Sequence, residues 1–265
     1  MLNLSRKHPF SFLMLALLWI AAALISGCSV ESGPKGFEQP QSPTAGPTSE
    51  SGIKLTKAFE TTARDGKKFY FSGWSGTKIQ KRSNGYYVTG TYDRDKGYTL
   101  DARIFGEPFR YYRWGNDVYI SEQEKWRKIE PSKAPLEPFV DFSKLQFLAD
   151  RAVRDKDGDI LGIKCEQYQL SLNYEKAVLV ANLMGAKLTT GDQSLSGPYF
   201  KQTKMKLYFW VGKSDNFIYK FMAVTNMPIP NAGSIYQETS FKFWKYNNPG
   251  INLPGPQKLA PYLIN

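Results

Sequence analysis

From Lys67 onward the chain breaks into short strand-like stretches at even intervals, and this rhythm points to a meandering antiparallel sheet. The stretches are 67–74 (KKFYFSGW), 85–93, 97–105, 108–114, 116–121 and 125–129. Between them lie residues that favour turns: Asn84-Gly85, Asp95-Lys96-Gly97, Gly106-Glu107-Pro108 and Gly115-Asn116. Pro131 to Pro138 interrupts the series. Asp157-Gly158 then reads as a hairpin turn before a long strand over roughly 160–172. Three more strands, 203–212, 216–225 and 234–246, precede an extended tail from Ile251 to Pro256.

Helical periodicity occurs in three places. Ile53, Leu55, Phe59 and Ala63 predict an amphipathic helix over 52–64, ended by Asp65-Gly66. Phe139, Phe142, Leu145, Leu148, Ala149 and Ala152 predict a second. The stretch 174–186 (YEKAVLVANLMGA) is apolar on most of its circumference and predicts a third, largely buried. The late strands add a constraint. In 203–212, Met205, Leu207, Phe209 and Val211 share one face while Tyr208 and Trp210 occupy the other, and 217–224 repeats the habit. A sheet with one wet face alternates apolar with polar. Here each face needs a cover, or one face lines an apolar cavity.

The start of the chain sets its address. Arg6-Lys7, the apolar run Phe12–Ile25 and the small residues Ser26-Gly27 have the order of a secretory signal peptide. The apolar run is shorter than the roughly 20 residues of a spanning helix. Ile25-Ser26-Gly27-Cys28 resembles the lipobox of bacterial lipoproteins. That resemblance implies a diacylglyceryl group on the Cys28 thiol and cleavage between Gly27 and Cys28. The expected organisation is a lipoprotein signal peptide over 1–27, a disordered Ser/Pro/Gly-rich tether over 28–51 and one domain over 52–265. The expected location is the extracytoplasmic face of the cell membrane, or the inner face of an outer membrane in a two-membrane source.

Composition then narrows the chemistry. The single histidine, His8, lies in the segment that cleavage removes, so the mature chain has no imidazole for a Ser-His-Asp triad or a His-bound zinc. Cys165 is left alone, without a disulfide partner, and reads as a small buried hydrophobe. Asp155-Lys156-Asp157-Gly158-Asp159 with Glu166 imitates a calcium loop, but Ile160 stands where the sharp turn wants glycine, so no metal is expected. Asp93/Asp95 and Glu122/Glu124 are carboxylate pairs of the kind a wall hydrolase uses, yet they sit in turns. The reading is of a non-enzyme without a cofactor. A balance of 35 Lys+Arg against 24 Asp+Glu, net +11, suits anionic surfaces. Outside the cytoplasm that favours lipid head groups or wall polymers over nucleic acid, and it demotes the Arg110–Trp114 run (RYYRW) to a strand with one solvated face.

The order of elements resembles the LolA-like, LppX/LprG-like superfamily of bacterial lipoproteins. The matching features are VYISEQEKWRKI (118–129), Gly162-Ile163-Lys164-Cys165 opening into CEQYQLSL with the helix after it, KLYFWVGKSDNFIYKF (206–221) and the Leu253-Pro254 tail. Together they span about 52–258. The resemblance implies an α+β, mainly β fold: a strongly curved antiparallel sheet, an unclosed half-barrel, with helices covering the concave face. It implies an apolar cavity there for the acyl chains of a lipid or lipoprotein. Phe69, Phe71, Leu207, Phe209, Phe217, Tyr219 and Phe221 are the candidate lining residues. An ordinary packed core uses the same residue types. The function expected is that of a membrane-anchored lipoprotein binding an acyl-bearing ligand. The alternative is a module that docks on an envelope enzyme or sensor and carries no lipid.

Overall fold

A computed structural model describes residues 49–79, 82–104, 107–122, 125–130, 141–183, 200–229 and 233–258. Gly27, Cys28 and the tether as far as residue 48 lie outside the described residues, as does the end of the third predicted helix; the last residues assigned to the tether, Ser49 to Ser51, instead cap and open a helix. The described residues open on helix α1 (Glu50–Asp65), which starts two residues earlier than the spacing predicts because Ser49 caps it by accepting the Gly52 N–H at 3.0 Å. Leu55, Ala58, Phe59 and Thr62 form its buried stripe. At the far end Arg94 donates to the carbonyls of Ala63, Arg64 and Gly66, satisfying groups that a helix terminus leaves open.

Eleven strands follow: β1 (Lys68–Ile79), β2 (Arg82–Asp93), β3 (Gly97–Ile104), β4 (Glu107–Trp114), β5 (Asp117–Glu122), β6 (Lys125–Ile129), β7 (Val153–Ile160), β8 (Ile163–Leu172), β9 (Lys204–Gly212), β10 (Ile218–Ile229) and β11 (Gly233–Trp244). A 3-10 helix (Phe142–Arg151) precedes β7, and α2 (Tyr174–Leu183) follows β8. They form one antiparallel sheet in the order β6-β5-β4-β3-β2-β1-β11-β10-β9-β8-β7. The first and last strands pair at its centre, with Phe71 opposite Phe243. The sheet is strongly curved and unclosed. Residues as far apart in strand order as Val118 on β5 and Tyr168 on β8 join one core cluster with the helices, on the concave side. The edge strands β6 and β7 carry Lys125, Arg127, Lys128, Arg154, Asp155 and Lys156, charges that discourage another chain from adding on.

Three expectations need correction. Asn84-Gly85 is no turn: it lies inside β2, where Gly85 faces Gly76 and the Trp74 indole covers both. Strand β1 therefore runs on to Ile79, which pairs with Arg82. Asp157-Gly158 also lies in a strand, β7; the turn is Leu161-Gly162, with φ of 55° and 84°. Both residues with positive φ make the hairpin geometry that suits strand twist. The Asp159 carboxylate closes it by accepting the Gly162 N–H at 2.7 Å. Finally, the second helix is 3-10, and its buried Phe142, Leu145 and Leu148 recur at the three-residue period of that helix.

Gly90 shows how tightly the centre is packed. A Cβ there would sit 2.1 Å from the Thr99 carbonyl oxygen and 2.4 Å from the Phe71 ring. Gly90→Ala is expected to cost about 3 kcal/mol, the upper end for overpacking a core, measured by urea unfolding. Gly115→Asn is the control: its φ is +55°, nothing lies within 4 Å, and asparagine tolerates that backbone.

Candidate ligand-binding face

The concave face is built by strand alternation. On β1 it carries Phe69, Phe71, Gly73 and Ser75; in register, β11 carries Phe243, Phe241 and Thr239, and β10 carries Phe221 and Ala223. Leu207 and Phe209 on β9 continue it to Tyr168 and Leu170 on β8. On the other half stand Val88, Tyr98, Leu100, Ala102, Tyr111, Val118 and Ile120.

Near α1 the face is filled by aromatic rings. Phe59 meets Phe209 edge-on at 5.0 Å between centroids, and Phe142 lies 6.2 Å from Phe209, 6.1 Å from Phe221 and 5.9 Å from Phe243. Toward the opposite end the same strands turn polar. Thr77, Thr225, Gln237 and Thr239 are half-buried, and Ser75 and Thr239 share a 2.9 Å hydrogen bond. The face thus grades from a phenylalanine plug to a hydroxyl-lined end.

Of the seven residues proposed from sequence, Phe69, Phe71, Leu207, Phe209 and Phe221 stand in this concave cluster. Phe217 and Tyr219 do not. A bulge between Ile218 and Lys220 turns Tyr219 outward, where it packs with Ile160, Cys165 and Trp210. Its hydroxyl donates to Asp215 at 2.6 Å, and Phe217 stacks on Tyr246 at 4.4 Å. Sequence reasoning omitted Phe59, Phe142 and Phe243, which sit among the chosen rings, and the whole wall from Tyr98 to Ile120. The alternation of Tyr98, Leu100 and Ala102 carried that signal.

The remaining described candidates have structural roles, while the side chains of Glu122 and Glu124 lie outside the described residues. Asp93 is buried against Lys68 at 3.1 Å and holds its own turn by accepting the Asp95 N–H. Within the calcium-like stretch, Asp155 accepts from Gln167, Asp157 pairs with Arg154 and Lys213, and Asp159 pairs with Lys164. Among the described residues no group of three or more His, Cys, Asp or Glu is placed to hold a metal. Tyr112 in the RYYRW run is covered, not solvated: its hydroxyl donates to the Pro254 carbonyl, and Leu253 packs on it and Tyr119.

Burial dominates the titration of this core. It pushes the phenols of Tyr98, Tyr111, Tyr168, Tyr219 and Tyr246 above their usual value of 10. Beside that desolvation, Glu166 adds to the rise at Tyr168 and Asp215 to that at Tyr219. A raised phenol keeps its proton in the folded state, so its contribution to stability is whole below pH 10 and is lost as pH rises beyond it. We expect alkaline unfolding to begin above about pH 10, with phenolate absorbance and loss of near-ultraviolet dichroism rising together. Full tyrosine ionisation with unchanged dichroism would contradict this.

No family model matches the chain, and no curated protein does. Among solved structures it is similar to LprF from Mycobacterium bovis, with 8% identity over 80% of this chain and 99% of that one and a TM-score of 0.47. It is similar to the lipoprotein LppX of Mycobacterium tuberculosis, with 10% identity over 78% of this chain and 100% of that one and a TM-score of 0.43. A LolA superfamily protein from Nitrosomonas europaea matches at 10% identity over 77% of this chain and 94% of that one, with a TM-score of 0.31.

Proposed function

We propose that this protein is a lipoprotein, anchored through Cys28 on the extracytoplasmic side of a membrane, whose concave face holds the acyl chains of a lipid or lipoprotein. The observation that carries the reading is the single apolar cluster running from Ile120 on β5 to Leu170 on β8 beneath the helices. Each buried methylene contributes about 0.8 kcal/mol, so an acyl chain binds there by desolvation alone and needs no covalent chemistry. The phenylalanine plug at α1 sets one limit of the site, and the hydroxyl-lined end offers a place for a polar head group.

The test is native mass spectrometry of the full mature protein, extracted gently from its own membrane. Beyond the mass of its own anchor, a second mass matching an acyl lipid or lipoprotein is expected. It should exchange for a photoactivatable fatty acid that crosslinks to β3–β5. A bare protein mass without that crosslink would overturn the proposal, the more so if crosslinking in cells recovered one dominant protein partner.

A further inference from the structure

The convex face differs between its two halves. On β3–β6 the convex face carries two ion pairs, Arg110 with Asp101 at 3.2 Å and Lys128 with Asp117 at 2.6 Å, and the tail lies over Tyr112 and Tyr119. On β1, β2 and β9–β11 the convex rows read differently. One row carries Trp210, Lys220 and Lys242; the next carries Tyr208, Met222, Trp74 and Tyr87. Beyond them come Lys206 beside Val224 and Glu238, then Lys204, Tyr236 and Lys78. Glu238 is the carboxylate on these rows, and among the described residues no ion pair involves Lys78, Lys204, Lys206, Lys220 or Lys242.

Two features make this more than a solvated surface. Lys220 and Lys242 stand directly opposite each other across β10 and β11, a like-charge placement that weakens a sheet. Large aromatic groups are left in water: Tyr87 is 69% exposed and Tyr236 40%. Lys220 lies 4.3 Å over the Trp210 ring. Trp210 itself is buried, so the accessible set is lysines on apolar stems with Tyr87, Tyr236 and the half-buried Trp74, the side chains of a membrane–water interface, where rings enter the headgroup layer and ammoniums meet lipid phosphates.

We propose that this convex half is a docking surface for an anionic lipid bilayer, laying the domain flat on the membrane that anchors it. The proposal rests on the anchored reading given above. On that reading about 20 residues separate Cys28 from α1, and a flexible chain of that length would reach roughly 25 Å, so even a weak surface attraction would act at high local concentration. Docked this way, the sheet turns its back to the bilayer and the helix layer faces away.

The experiment reconstitutes the full lipidated protein into vesicles of phosphatidylcholine, with or without phosphatidylglycerol, using brominated chains that quench tryptophan on contact. Quenching about threefold greater in the anionic vesicles is expected, lost at high salt and in the Lys204→Glu, Lys206→Glu, Lys242→Glu variant. Lys144→Glu, an exposed site on the 3-10 helix away from this face, should quench like the parent, whereas Lys242→Glu alone should reduce quenching. Flotation separates the two readings. Protein that fails to float at high salt refutes the anchor, whereas protein that floats in every lipid without differential quenching refutes the docking surface alone. Binding to an anionic wall polymer without quenching would also overturn it.

Discussion

Phe59→Ala should lower the unfolding free energy by about 3–5 kcal/mol, the range for deleting a buried aromatic ring. Phe59 is fully buried on α1, edge-on to Phe209 and 6.3 Å from the Phe142 ring. Aromatic pairs of this kind add about 0.5–1.5 kcal/mol beyond the area they hide. Because a domain has only about 5–15 kcal/mol in total, the loss is a large part of its stability. Urea unfolding reads it directly as a lower midpoint with an unchanged slope. Ile53→Ala, on the same helix but 54% exposed, should change stability by less than about 0.5 kcal/mol. Equal losses at the two positions would mean that α1 is not the plug of the concave face.

If Cys28 carries the anchor proposed above, Cys28→Ser is expected to remove it altogether. Each acyl methylene in a bilayer contributes about 0.8 kcal/mol, and two chains hold a protein where one is only marginal. The variant should incorporate no labelled palmitate and should lose the mass of the diacylglyceryl group. The other cysteine offers no substitute: Cys165 is buried, and burial pushes its thiol up to about 11. Stability of the domain should stay within about 0.5 kcal/mol, since the described core begins at Leu55. Undiminished palmitate labelling would place the anchor elsewhere.

The strand rhythm made the sheet legible, because side-chain alternation and turn residues are local properties. Where turn chemistry failed, a tertiary contact had outweighed it. Asn84-Gly85 has the composition of a hairpin, but two facing glycines under the Trp74 ring serve the ladder instead. Asp157-Gly158 lost to Leu161-Gly162 because Asp159 could reach the Gly162 amide, a choice invisible in a dipeptide count. The three-residue recurrence of Phe142, Leu145 and Leu148 did mark a 3-10 helix, though nearby Phe139, Ala149 and Ala152 blurred it into an α-helical pattern.

The candidate face was partly legible for the same reason. Alternation along 203–212 identified Leu207 and Phe209, but it carries no information past a bulge, so Phe217 and Tyr219 were assigned to the wrong side. Nor can it say which helix residue meets which strand. Phe59 and Phe142 joined the site only through the path of the chain.

The pairing of β1 with β11 has a consequence for how the chain is made. Ser75 and Thr239, hydrogen-bonded across the concave side of that seam, are separated by 164 positions in the chain. Contacts this remote slow folding, since the loop must close before the pairing repays it. A chain threaded out of the cytoplasm from its N-terminus cannot complete its middle until its last strand has emerged. Until then β1 waits with one side unpaired, and no strand ladder joins the two ribbons that flank the seam. Late closure of the sheet is thus compatible with the export proposed above, and any truncation that removes β11 leaves two ribbons with no ladder between them in place of a smaller sheet.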